Sequence, residues 1–240
     1  MSSIFNIDGP FMRALTKVAD LMILNVLAMI CSIPVFTAGA SLTALHYMSL
    51  KMVRGEEGYI VRGFFKSFKE NFKQATLIWL MVLVFIFVLV ADILAITKLG
   101  IEVHIALKIF IGVIAALCIF TILYVFAVLA RFENTVKQTI KNAFLMSIMQ
   151  FPKTLLMVVL YILPYFLGYI FPQIIPIVFL LCLSGPIYCS ALLYNNFFKK
   201  LENRVREEEN TENGATQEDE VIFRDELDEK LGESQMTSKE

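Results

Sequence analysis

Charge is missing from most of the first two hundred residues of this chain. The segment Leu21–Leu50 contains no acid or base, and Gln74–Ile96 contains one, Asp92. No soluble helix could hide so uniform a surface, whereas a bilayer core about 30 Å thick needs about 20 apolar helical residues to cross it. The motifs of chemistry are missing too. There is no P-loop and no G-x-G-x-x-G, which speaks against nucleotide-driven work, and no G-x-S-x-G or H-E-x-x-H. The two histidines, His46 and His104, have no carboxylate at ligand spacing. The four cysteines lie singly inside apolar runs and read as small hydrophobes. No enzyme, cofactor or metal site is expected.

What is present is hydrophobic: 58% of the 240 residues, with 21 Phe. The charge that remains is segregated. Residues 201–240 hold 14 acids and 5 bases, so the net charge of −1 conceals a basic body and an acidic tail. The expected fold class is all-α: a polytopic membrane domain over 1–200, then a disordered acidic tail over 201–240. Six spans are expected: Phe11–Ile33, Ala38–Lys51, Ala75–Ile96, Ala106–Leu129, Thr154–Gly168 and Pro172–Tyr194. Pro34 separates the first two. The second is diluted by Ser41, Thr43, His46 and Ser49, so a re-entrant segment and a total of five spans is the alternative. Pro164, Pro176 and Pro186 predict kinks in the last two. Arg13 and Lys17 before an apolar stretch, then Ala38-Gly39-Ala40, imitate a signal peptide, but the cleavage site would be late and a retained helix is the better reading.

With six spans, the basic clusters from Arg13 to Lys17, Lys51 to Lys73, Arg131 to Lys153 and Lys199 to Lys200 share one side. The positive-inside rule makes that side, and both termini, cytoplasmic. Two cytoplasmic surface helices are expected. In Tyr59–Lys73, Val61, Phe65, Phe68 and Phe72 run beside a basic stripe. In Asn134–Gln150, Ile140, Phe144 and Ile148 share a face placed opposite Lys137 and Lys141.

Polar residues inside membrane helices are the default functional candidates, which selects Asn25, His46 and Asp92. Interhelical hydrogen bonding explains Asn25 and His46 as well, and a snorkelling carboxylate explains Asp92. The densest polar signals are two corners: Arg54, Glu56 and Glu57 after the second span, and Arg131, Glu133 and Asn134 after the fourth. Both read as docking surfaces for a partner, and equally as well-made helix corners. No nucleic-acid partner is expected; the lipid bilayer is the first partner.

Four strings are specific: Pro34-Val-Phe-Thr-Ala-Gly-Ala40, Lys51-Met-Val-Arg-Gly-Glu-Glu-Gly58, Phe68-Lys-Glu-Asn-Phe-Lys-Gln-Ala-Thr76 and Ala130-Arg-Phe-Glu-Asn134. With their surroundings they closely resemble the YesL-like family of small integral membrane proteins of Gram-positive bacteria, over residues 6–200. That family is catalogued as a domain of unknown function. The resemblance implies a bacterial plasma membrane protein whose relatives are encoded beside carbohydrate ABC transporter components. It therefore implies an accessory role with ABC sugar transporter subunits as partners. The alternative is a small transporter or channel with its own polar path.

Overall fold

The computed structural model describes residues 10–56, 58–98 and 104–207. These form eight α-helices and two short 3-10 turns, and no strand occurs among them. The helices are α1 (Pro10–Cys31), α2 (Ala38–Arg54), α3 (Ile60–Lys98), α4 (Ile105–Arg131), α5 (Val136–Met149), α6 (Phe151–Ile170), α7 (Ile175–Leu181) and α8 (Ser184–Glu207). The described residues up to Tyr194 belong to one compact unit and those from Asn195 to a second.

Among the described residues, four helices are long and apolar enough to cross a membrane: Phe11–Cys31, Ile60–Ala95, Ile105–Arg131 and Phe151–Ile170. The pair α7–α8, bent by 59°, makes a fifth if it counts as one span. The protein is thus an all-α polytopic membrane protein with four or five spans by length and composition. The six expected spans lose α2. It forms where expected, but it has only 17 residues, and eleven of them are buried against protein. The hydroxyls and His46 that dilute its apolar run are what it shows to its neighbours.

The α2 helix is the hub, packed on α1, α3 and α4. Its interfaces use small residues, as membrane helices must when lipid offers no hydrophobic reward for association. Ser41 Oγ donates to the Ala28 carbonyl of α1 at 2.8 Å, and Ala40 and Ala44 are fully buried. Gly39 lies against α3 so closely that a Cβ there would stand 2.5 Å from Trp79 Cβ and 2.6 Å from the Ala75 carbonyl oxygen. Beside it, Trp79 Nε1 donates to the Val35 carbonyl at 2.7 Å. At the other end, Lys17 Nζ donates to the Met52 carbonyl, so α1 and α2 run antiparallel. Gly55, at φ 70°, closes α2: the Glu56 amide returns to the Lys51 carbonyl and the Gly55 amide to Met52.

The expected surface helix Tyr59–Lys73 is not a separate element. From Ile60 to Lys98 the sequence has no proline and one glycine, Gly63, so nothing interrupts it, and the result is one 39-residue helix. At 1.5 Å per residue it is about 58 Å long, nearly twice a hydrocarbon core. Phe64, Ser67, Ala75 and Ile78 turn inward on the protein, while Val61 and Phe65 are exposed.

The α5 helix matches its expected position, and Thr135 opens it with a reciprocal capping box to Gln138. Its inner face is Thr139, Ala143, Met146 and Ser147. The exposed residues include Phe144, Leu145, Ile148 and Met149, a pattern that suits lipid rather than water. The expected opposition of Ile140 and Phe144 to Lys137 and Lys141 is overturned. Positions i, i+3, i+4 and i+7 share one helical face, and these four residues line one groove.

The predicted kinks resolve differently. Pro164 sits inside an unbroken α6. The chain breaks instead at Cys182–Leu183, one turn before Pro186, which has no amide to return to the Cys182 carbonyl.

Candidate functional site

The sequence candidates fall into three places. Asn25 is fully buried on α1 and serves the α7–α8 break. Its Nδ2 donates to the Phe179 carbonyl at 2.9 Å, and its Oδ1 accepts from the amides of Leu183 (3.0 Å) and Ser184 (3.2 Å). One side chain therefore satisfies a backbone carbonyl and two amides around the broken turn. His46 is buried on α2, with Nδ1 3.1 Å from the Tyr194 hydroxyl. The Tyr194 ring also packs on Tyr124, whose hydroxyl lies 3.2 Å from Thr154 Oγ1. These two candidates thus belong to a polar core that ties α1, α2, α4 and α6 to the last helix pair. Asp92, half-buried, lies apart from both, on α3 and 13 residues beyond Trp79, about 20 Å along the helix.

Arg54 and Glu56 sit at the glycine-capped end of α2, half-buried and exposed respectively, and Glu57 lies outside the described residues. The corner Arg131, Glu133 and Asn134 is different, because it is half of a cleft. The C-terminus of α4 ends at Arg131, and the extended backbone of Phe132 turns the chain into the Thr135 cap of α5. This turn faces α3, which supplies Lys66, Glu70, Asn71 and Gln74. Tyr47 of α2 closes the side. The cleft encloses about 820 Å³, within the usual range for ligand sites.

Two of the four specific strings, more than fifty residues apart, therefore meet across one cavity. Sequence reasoning found the Arg131 side and missed the α3 side. The available signal was that Glu70, Asn71 and Gln74 share a helical face with Lys66, a face that a surface helix would have left to solvent.

The wall offers both charges and many neutral polar groups. Lys66 Nζ and Glu70 Oε1 lie 3.9 Å apart as an exposed i,i+4 pair, a weak contact that a ligand can exchange. Asn71 Nδ2 donates to the Ser67 carbonyl at 3.0 Å. Thr135 and Gln138 are occupied with each other, Gln138 Oε1 accepting from Thr135 N at 3.1 Å. The Lys51 ammonium stands 4.9 Å over the Tyr47 ring, fixing the aromatic edge. Glu133 and Gln74 project exposed polar ends into the opening. Such a surface suits a polar segment carrying charge of both signs. Among the described residues no three His, Cys, Asp or Glu side chains gather as metal ligands.

Several of the basic residues gather at one place. The start of α1, the end of α2, the start of α3 and the α4–α5 corner lie at one end of the bundle, linked by the Lys17–Met52 contact and by the cleft.

Residues 21–93 are similar to a family described as "Protein of unknown function, DUF624". The match covers the second half of α1, all of α2 and most of α3, less than a third of the chain, and it includes the α3 wall of the cleft but not the Arg131 wall. No curated protein and no solved structure matches the chain.

Proposed function

We propose that this chain is a non-enzymatic accessory subunit of the plasma membrane that docks a partner through the cleft between α3 and the α4–α5 corner. The observation that carries the reading is the convergence of Lys66, Glu70, Asn71 and Gln74 with Arg131, Glu133 and Asn134 on one open polar cavity. A cavity walled by exchangeable ion pairs and amides at the basic end of a membrane bundle suits a polypeptide segment. The positive-inside rule makes that end cytoplasmic. The resemblance to YesL-like proteins supports a carbohydrate ABC-type uptake system as the assembly served, and a bacterial membrane as the setting.

The test is a crosslinking pull-down from native membranes with the intact chain and with Glu133→Arg/Gln74→Ala, both exposed positions that folding tolerates. Carbohydrate transporter subunits should be recovered with the intact chain and lost with the double variant. Equal recovery with both would remove the cleft from the reading, and recovery of neither would remove the accessory role. A chain truncated after Lys200 separates any contribution of the acidic tail.

A second reading, a small transporter, draws support from the helix break stapled by Asn25, since discontinuous helices line binding sites in many transporters. It predicts solute flux by the purified protein in liposomes, and absence of flux would end it.

A further inference from the structure

On the other side of the α5 N-terminus lies a second depression of opposite character. It encloses about 590 Å³ between α3, α4 and α5. Val82 and Phe85, Cys118 and Ile122, and Ile140 and Phe144 make its walls, and its lining is almost wholly apolar. The polar exceptions are Thr121, whose hydroxyl donates to the Leu117 carbonyl at 2.8 Å, and Lys137 and Lys141, both exposed and one helical turn apart. Among the described residues neither lysine has a hydrogen-bond or ion-pair partner. Two adjacent ammonium groups, with Cβ atoms about 5–6 Å apart, are thus held over an apolar slot with nothing to neutralise them.

We infer that this groove seats one anionic phospholipid, with an acyl chain between α3, α4 and α5 and its phosphate on Lys137 and Lys141. The orientation fits. The lysines lie toward the start of α5, at the basic end of the bundle, while Phe144 and Cys118 lie deeper along α5 and α4. From Ile78 to Phe85 the α3 wall runs about 10 Å along the helix, enough for a substantial length of acyl chain. The face is open to lipid, for Phe144, Leu145 and Ile148 are exposed there. Charge complementarity selects an anionic headgroup over a zwitterionic one, because each lysine near the surface favours anionic lipid and the pair acts on one phosphate. The seat is independent of the docking cleft and stands or falls separately.

The full chain, purified in mild detergent, is titrated with phosphatidylglycerol and phosphatidylcholine and the bound lipid counted by native mass spectrometry. The expected result is one preferentially retained phosphatidylglycerol, with affinity lowered about tenfold or more by Lys137→Gln/Lys141→Gln. The charge-matched variant Arg62→Gln/Lys69→Gln, on the exposed face of α3, should leave it unchanged. Equal loss in both variants would mean diffuse attraction to basic charge and would overturn the seat, as would absence of headgroup preference. Trp79→Phe/Phe144→Trp supplies a second readout: brominated phosphatidylglycerol should quench the new tryptophan, and the lysine substitutions should relieve that quenching. A photo-crosslinker at Phe144 in native membranes should capture lipid. Capture of a polypeptide there would assign the groove to a partner helix and refute the lipid.

Discussion

The α2 helix and the outer half of α3 are helices of similar length with opposite surroundings. No described residue of α2 is exposed, yet its buried set includes Ser41, Thr43, His46 and Ser49. From Leu80 to Leu94, α3 is almost entirely apolar, and Val84, Phe87, Val88, Val90 and Ile93 are all exposed. In water this would be an inverted protein. In a bilayer it is the stable arrangement, because the apolar side chains gain nothing by leaving lipid while the Ser41 and Thr43 hydroxyls find carbonyls on protein. Helix contact here combines small residues and hydrogen bonds with a core of Leu24, Leu45, Met48, Met52 and Phe64, so the size of a side chain alone is a poor guide to what its loss costs.

Four substitutions sharpen that contrast. The largest effect should follow Gly39→Leu. Even its Cβ meets Trp79 and the Ala75 carbonyl inside contact distance, so α2 must move off α3. A loss of about 3 kcal/mol or more is expected, seen as collapse of the monodisperse peak on size-exclusion in detergent. Asn25→Leu should come next, since it leaves the Phe179 carbonyl and the Leu183 and Ser184 amides without their partner. About 1–3 kcal/mol is expected, measured by thermal unfolding, with faster proteolysis near Cys182. Ser41→Ala removes one buried bond to Ala28 and should cost about 1 kcal/mol. The smallest effect should be that of Phe87→Ala. In a soluble core that change costs about 3–5 kcal/mol. Here the ring is 74% exposed to the surrounding lipid, and the melting temperature should barely move. A large drop for Phe87→Ala would mean that α3 has an unseen partner and would break the comparison.

Much of this architecture is legible in the sequence, because the bilayer imposes a length scale. The positions of α1, α4 and α6 follow from uncharged runs, and α5 from its periodicity. The α2 helix was readable as an odd element, since its hydroxyls could not face lipid. The continuity of α3 was harder to read. A change from amphipathic to apolar composition at Gln74 suggests a boundary, but composition alone does not end a helix without a glycine, a proline or a cap. The faces of α5 were misjudged for a related reason: Lys137 and Lys141 were set opposite Ile140 and Phe144, whereas all four share one face and Thr139 and Ala143 go inward. Arg131, Glu133 and Asn134 were found as a polar corner. Their cleft partners on α3 needed the fold, because nothing local in Phe68–Thr76 tells which of its faces another helix will meet.

Trp79 is the chain's one tryptophan, and it sits where the turn before α2, the glycine of α2 and the ring of Phe126 on α4 converge on α3. Excited at the long-wavelength edge of its absorption, where the eight tyrosines are silent, it is a single-site optical signal. Its emission wavelength and anisotropy then report whether α2 is seated, with no label attached.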